Sequence, residues 1–202
     1  MNRRLFLWGL SNGATMLALA GAFWIGIGVA MVANRGHWAL AAFGTLLQVA
    51  GAVGLSWASA LLRRRSGFQG AELRQLQGVE RAQKRHIVAG MAWTIIGQTL
   101  LIAIAVWICV RLHAEHLIWA SLGAIVSLHF APLGWLFHVR TYYATAIAGT
   151  IVSVVAFSVS GTPYGVASLG LGMATVTWSS SAYLLLHADR IADQACAERW
   201  VV

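Results

Sequence analysis

IVAGMAWTIIGQTLLIAIAVWICVR, residues 87–111, carries no charged side chain before its closing Arg111. A helix that crosses a bilayer needs about 20 mostly apolar residues, and this stretch supplies them without interruption. Five further stretches read the same way: 8–33, 38–62, 117–139, 142–160 and 165–187. Each is free of Asp, Glu, Lys and Arg except at its ends. The fold class expected is therefore all-α: a polytopic membrane protein, one bundle of six transmembrane helices spanning the whole chain, 1–202.

Composition agrees. The chain is 59% hydrophobic and 10% charged, where a soluble domain carries about 25% charged residues. Two prolines and 21 glycines suit closely packed membrane helices better than a loop-rich soluble fold.

The net charge of +8 does not point to nucleic acid, because the basic residues sit between the apolar runs. Arg3 and Arg4 precede the first span. Arg63, Arg64, Arg65, Arg74, Arg81, Lys84 and Arg85 separate the second from the third. Arg140 lies between the fourth and fifth, and Arg190 and Arg199 follow the sixth. That places 12 of 14 basic residues on one side, leaving Arg35 and Arg111 on the other. The positive-inside bias puts both termini in the cytoplasm. One rival concerns the start: Arg3-Arg4, an apolar run and Ala18-Leu19-Ala20 imitate a cleavable secretory signal. The run continues to Ala33, and Ser11 and Asn12 interrupt the place of a signal core, which favours a retained span.

The segment 63–86 is the one long connection. Leu73, Leu76, Val79 and Ala82 fall on one face of a helix over 71–85, ringed by basic side chains and glutamines. This predicts a short amphipathic helix on the inner leaflet. Arg63, Arg64, Arg65, Arg81, Lys84 and Arg85 are its candidate contacts with anionic lipid headgroups. A solvated basic connector fits the same residues.

Four features compete as sites. In the first span Ala14, Ala18, Ala22, Gly26 and Ala30 recur every four residues, a spacing that lets another helix approach closely. The neighbour is either a helix of this chain, a second copy, or a partner subunit. Next, depth counted along each span places Gln48, Gln98, His129, Ser153 and Thr175 at one level. Polar groups in hydrocarbon are costly and turn inward to find partners. They serve either as glue between helices or as a small-molecule site with Trp93, Trp135 and Trp178 as walls. Most of the ten tryptophans, such as Trp38, Trp57 and Trp107, fall near span ends as interfacial anchors.

His37, His113 and His116, with Glu115, form a histidine group on the outer side that can also be read as plain interfacial residues. Cys109 and Cys196 fall on opposite sides and cannot pair. No cofactor is expected: His129 has no second histidine at its depth to complete a haem. No intramembrane carboxylate or readable Ser–His pairing supports catalysis, so no enzyme is expected.

The last feature is His129-Phe130-Ala131-Pro132-Leu133-Gly134-Trp135-Leu136-Phe137, followed by Tyr142-Tyr143. Pro132 removes a backbone hydrogen bond and predicts a kink beside His129. Over about 20 residues this resembles a family of small bacterial multi-pass proteins with an H-x-x-P-x-x-W-L-[FY] pattern. The resemblance implies a bacterial inner-membrane protein and assigns no activity. The helix count and the spacing of Ala14, Ala18 and Ala22 also look like the substrate-binding subunits of energy-coupling-factor vitamin transporters. That likeness implies docking of a transmembrane coupling subunit on the first helix. Two functions stay open: binding or transport of a small molecule at the mid-membrane polar groups, or an accessory role through helix and lipid contacts.

Overall fold

The computed structural model describes residues 3–67, 78–162 and 164–197. Among these the structure is all helix: α1 (Arg3–Ala33), α2 (Trp38–Arg65), α3 (Gly78–Arg111), α4 (Ile118–Leu128), α5 (Phe130–Phe137), α6 (Arg140–Ser158), α7 (Gly165–Leu186) and α8 (Ala188–Ala197), with one 3₁₀ turn at Glu115–Leu117. Six of these segments are long and apolar enough to cross a membrane, counting α4 and α5 as one interrupted span.

The helix ends follow local chemistry. Gly36 takes φ +82 in the turn between α1 and α2, a conformation that costs glycine little. Three arginines, Arg63, Arg64 and Arg65, close α2, where cations complement the helix dipole. Ser66 Oγ then donates to the Arg63 carbonyl at 2.6 Å, and Gly67 follows at φ +72. The third span starts earlier than expected. Gly78–Arg85 is the first part of α3 rather than a separate surface helix, so Arg81, Lys84 and Arg85 ride on the spanning helix itself. The rest of the predicted amphipathic segment, 71–77, lies outside the described residues.

The fourth span is broken where Pro132 predicts. Proline has no N–H to give the carbonyl four residues back. The helix stops at Leu128 and restarts at Phe130, with His129 as the joint. The turn into α6 uses His138 at φ +55, a left-handed conformation for which histidine is better suited than most residues.

Packing ranks the helices. α1 lies between α7 and α2, α7 also meets α6, and α6 meets α4 and α5. α2 touches α1 and α7 at one edge, and α3 touches α4 and α5 at the other. Close approach depends on missing side chains. A Cβ on Gly170 of α7 would sit 2.5 Å from the Trp24 carbonyl oxygen of α1. A Cβ on Gly123 would sit 2.7 Å from Ser153 Oγ. Both glycines belong to the repeated Ser-Leu-Gly triplet, at 121–123 and 168–170.

Arg3 fixes the ends of the described chain to each other. Its Nη2 lies 2.6 Å from Asp189 Oδ1 and its Nε 2.9 Å from Asp193 Oδ1. The start of α1 and the helix α8 therefore share one end of the bundle. Arg35 stacks over the Tyr164 ring at 5.7 Å, marking the opposite end.

Candidate functional site

The small-residue stripe of α1 is largely occupied within the chain. Ala14 and Ala18 are fully buried, Ala22 and Gly26 are half-buried, and Ala30 is exposed. Three carbonyls of the stripe accept hydrogen bonds from neighbouring helices. Ser181 Oγ donates to Ala14 O at 2.9 Å, Trp178 Nε1 to Ala18 O at 2.9 Å, and Gln48 Nε2 to Ala22 O at 2.9 Å. A carbonyl inside a helix has a spare lone pair, and a donor from another helix can use it without breaking the ladder. In hydrocarbon such bonds hold helices together.

Two members of the expected polar layer are therefore glue. Gln48 and Trp178 tie α2 and α7 to α1. The Trp178 ring lies against Gly21 of α1 and Gly51 of α2, where any Cβ would collide with it. Ser153 is glue of another kind: it is fully buried, donates to Gly149 O at 2.9 Å, and faces the Met173 sulfur at 4.0 Å. Thr175 is exposed and bonds back to Leu171 O at 2.8 Å, so it does not belong to an interior layer.

Trp93 and Trp135 are also not walls of an interior site. They are 73% and 68% exposed and point outward. The reason is angular. Trp93 is five residues from Gln98, about 140° around the helix, and Trp135 is six from His129, about 120° around. Depth alone had grouped side chains that face different ways.

Gln98 and His129 do come together. Both line a cavity of about 210 Å³ bounded by α1, α3, α4, α5 and Tyr142 of α6. The contributing residues keep helical spacing: Gly13, Met16 and Ala20 on α1, and Met91, Ile95 and Gln98 on α3. Val126, Phe130, Leu133 and Phe137 supply most of the remaining apolar wall. The space exists because α3 packs on α4 and α5 rather than on α1. Its rim includes the exposed side chains Met16 and Ile95, which places its mouth on the apolar outer surface of the bundle.

An aromatic series backs the cavity. The His129 ring stacks on Phe130 with centroids 5.4 Å apart, and Phe130 lies parallel to Tyr142 at 6.4 Å. Phe137 meets Tyr142 at 6.0 Å. Tyr142 is 2% exposed, and its hydroxyl fills the place where Gly13 lacks a side chain. His129 Nε2 is buried with no hydrogen-bond partner among the described residues. Such an orphan is uncommon, because a buried polar atom without a partner costs about 1–3 kcal/mol. The Gln98 amide likewise has no hydrogen bond among the described residues.

The arrangement offers one imidazole and one carboxamide within an apolar chamber. It can hold a small, mostly apolar molecule by shape and orient one polar group on it. It does not assemble a nucleophile with a base. Ser127 Oγ donates to Gly123 O at 2.7 Å and lies 3.6 Å from Met173 Sδ, away from His129. Among the described residues no three His, Cys, Asp or Glu side chains gather at metal-binding spacing, and His37, His113 and His116 are not joined. Cys109 and Cys196 form no disulfide among the described residues.

The sequence reading named Gln98, His129 and the Tyr142 motif but missed the α1 face of the chamber. Gly13 was the available signal: a glycine one position from the alanine stripe marks a second close approach on an adjacent face. Comparison with known protein families, with curated proteins and with solved structures finds no significant match to this chain.

Proposed function

We propose that the protein is a non-catalytic membrane protein that binds, and in that way handles or transports, a small and largely apolar molecule in the chamber between α1, α3 and the broken span α4–α5. The observation that carries this reading is the chamber itself, lined by both Gln98 and His129 and otherwise apolar. Its volume of about 210 Å³ is below the ~300–1,000 Å³ of pockets for drug-sized ligands. It suits a small molecule or one segment of a longer one. The rim at Met16 and Ile95 supports entry from the hydrocarbon rather than from water. The basic bias of the connecting segments supports cytoplasmic termini, and the H-x-x-P-x-x-W-L-[FY] pattern supports a bacterial inner membrane.

The test is extraction and mass spectrometry of the protein purified in mild detergent, compared with Ala20→Phe, which fills the chamber, and His129→Leu. The expected result is a compound enriched over bulk lipid in the wild type, absent from Ala20→Phe and reduced about tenfold or more in His129→Leu, as loss of a buried hydrogen bond implies. Wild type and Ala20→Phe carrying the same extractable compounds would sink the proposal.

A second reading is an accessory protein acting through helix and lipid contacts, alone, as a homo-oligomer, or with a transporter subunit. The outer faces of α2 and α3 favour it. They expose Trp38, Leu46, Trp57, Leu100 and Trp107 in long apolar rows. A stable oligomer in native membranes, with an empty chamber, would select it.

A further inference from the structure

A second cavity lies at the end of the bundle where Arg3 meets α8. It encloses about 410 Å³, with His138, Arg140 and Thr141 on one side and His187, Arg190 and Gln194 on the other. Among the described residues no acidic side chain lines it. The reason is visible in α8, which presents three different faces. Ala188, Ala192 and Ala195 are buried in the core. Asp189 and Asp193 turn toward Arg3 and are engaged by it. Arg190 and Gln194, four apart, turn into the cleft. The carboxylates of α8 are thus engaged by Arg3 and do not line the cleft.

Arg140 and Arg190 make no hydrogen bond or ion pair among the described residues. They come from helices distant in sequence and converge on one space. The start of α6 adds to the same sign of potential. Val139 gives no side-chain cap to this 19-residue helix, and while the Tyr142 N–H donates back to the Val139 carbonyl, Arg140 and Thr141 sit at the positive end of the dipole. Arg140 and Thr141, both in that turn, line the cleft. Planar guanidinium groups beside a helix start match the tetrahedral oxygens of a phosphate.

The level of the cleft matters as much as its charge. It sits where the apolar part of α5 ends, α6 begins and α7 ends, the plane at which a headgroup layer meets the protein. Leu186 beside it is 80% exposed, as a residue at the edge of hydrocarbon would be. From this geometry we infer that the α6–α7–α8 cleft is a phosphate-binding site, and that the phosphate it takes is the headgroup of an anionic phospholipid. The site is separate from the Gln98–His129 chamber and does not depend on it.

The experiment uses the whole chain, stripped of lipid by detergent exchange and offered phosphatidylglycerol or phosphatidylcholine, with adducts read by native mass spectrometry. Wild type should retain phosphatidylglycerol in preference to phosphatidylcholine. R140Q/R190Q should retain about thirtyfold less, since each cation at headgroup depth contributes about fivefold. R35Q/R111Q removes equal charge from the opposite end of the bundle and should retain as much as wild type. Inorganic phosphate at millimolar concentration separates the sources. Lipid retention without any effect of phosphate assigns the site to the headgroup. A rise in thermal stability with phosphate in wild type but not in R140Q/R190Q, without lipid preference, keeps the phosphate site and assigns it to a soluble ester. Helix content by circular dichroism checks folding, and R190Q alone, on the outer helix α8, replaces the double variant if that one misfolds. Equal retention of both lipids by wild type with no response to phosphate overturns the inference. So does an equal loss in R35Q/R111Q.

Discussion

The most apolar stretches of α1 and α3 have the same mean hydropathy, yet 39% of that of α1 is buried against 6% of that of α3. Lipid makes no distinction between a leucine that faces a neighbour and one that faces an acyl chain, so hydropathy reports only that both helices span. What separates them is where small and hydrogen-bonding groups fall. α1 carries Ala14, Ala18 and Gly21 on the side that meets α7, with Trp178 and Ser181 donating to its carbonyls. α3 offers Leu100, Ile104 and Trp107 outward, and Gly97 with open space beyond it. Centrality in this bundle is a property of backbone approach and interhelical donors, not of apolar content.

That comparison is most easily broken at a glycine. Gly170→Leu must push α7 off α1, because the atoms in its way are the Trp24 carbonyl and the backbone of Gly28. We expect a loss of about 3 kcal/mol or more, seen as failure to isolate folded protein or a collapsed melting temperature. Gly97→Leu on α3 meets nothing within 4 Å and should change stability by less than about 0.5 kcal/mol. Equal damage from the two would mean that α3 is as central as α1.

A smaller effect sharpens the same contrast. Leu184→Ala empties a site that is 0% exposed and should cost about 2–4 kcal/mol in equilibrium unfolding. Leu100→Ala, 60% exposed, should be close to neutral in lipid. Smallest of all, Trp178→Phe and Ser181→Ala each remove one hydrogen bond to an α1 carbonyl. Each should lower stability by about 0.6 kcal/mol, with an upper end of about 1.7. If the double variant loses no more than either single one, the two bonds are not independent ties.

The presence of six apolar helices was legible from the sequence, because about 20 apolar residues bounded by charge can do little else, although the start of α3 was not. The break at His129 was legible too, since Pro132 cannot serve the carbonyl of Leu128. The candidate site was legible only in part. Counting residues along a span gives depth at a fixed rise, and it grouped Gln48, Gln98, His129, Ser153 and Thr175 at one level. It does not give the direction around the helix in a bundle whose packing partners are unknown. Gln98 and His129 happened to face the same gap. Thr175, Trp93 and Trp135 faced outward, and Gln48, Ser153 and Trp178 each found a partner in another interface. Arg3 and its two aspartates were invisible for a further reason: nothing in the sequence says which helix of a bundle lies beside its start.

The contact of α1 with α7 has a consequence for biosynthesis. α1 leaves the ribosome well before α7 exists, and at about 5–20 residues per second the delay is on the order of ten seconds or more. During that wait the α1 face that will carry Ser181 and Trp178 is without its partner. α2 follows at once and can cover one flank through the Gln48 bond to Ala22. The opposite flank must be shielded by lipid, by the insertion machinery or by a temporary neighbour until α7 enters the membrane. An early helix with a late partner makes assembly a closing step rather than a stepwise addition, and a chain arrested before α7 should be a ready target for membrane quality control.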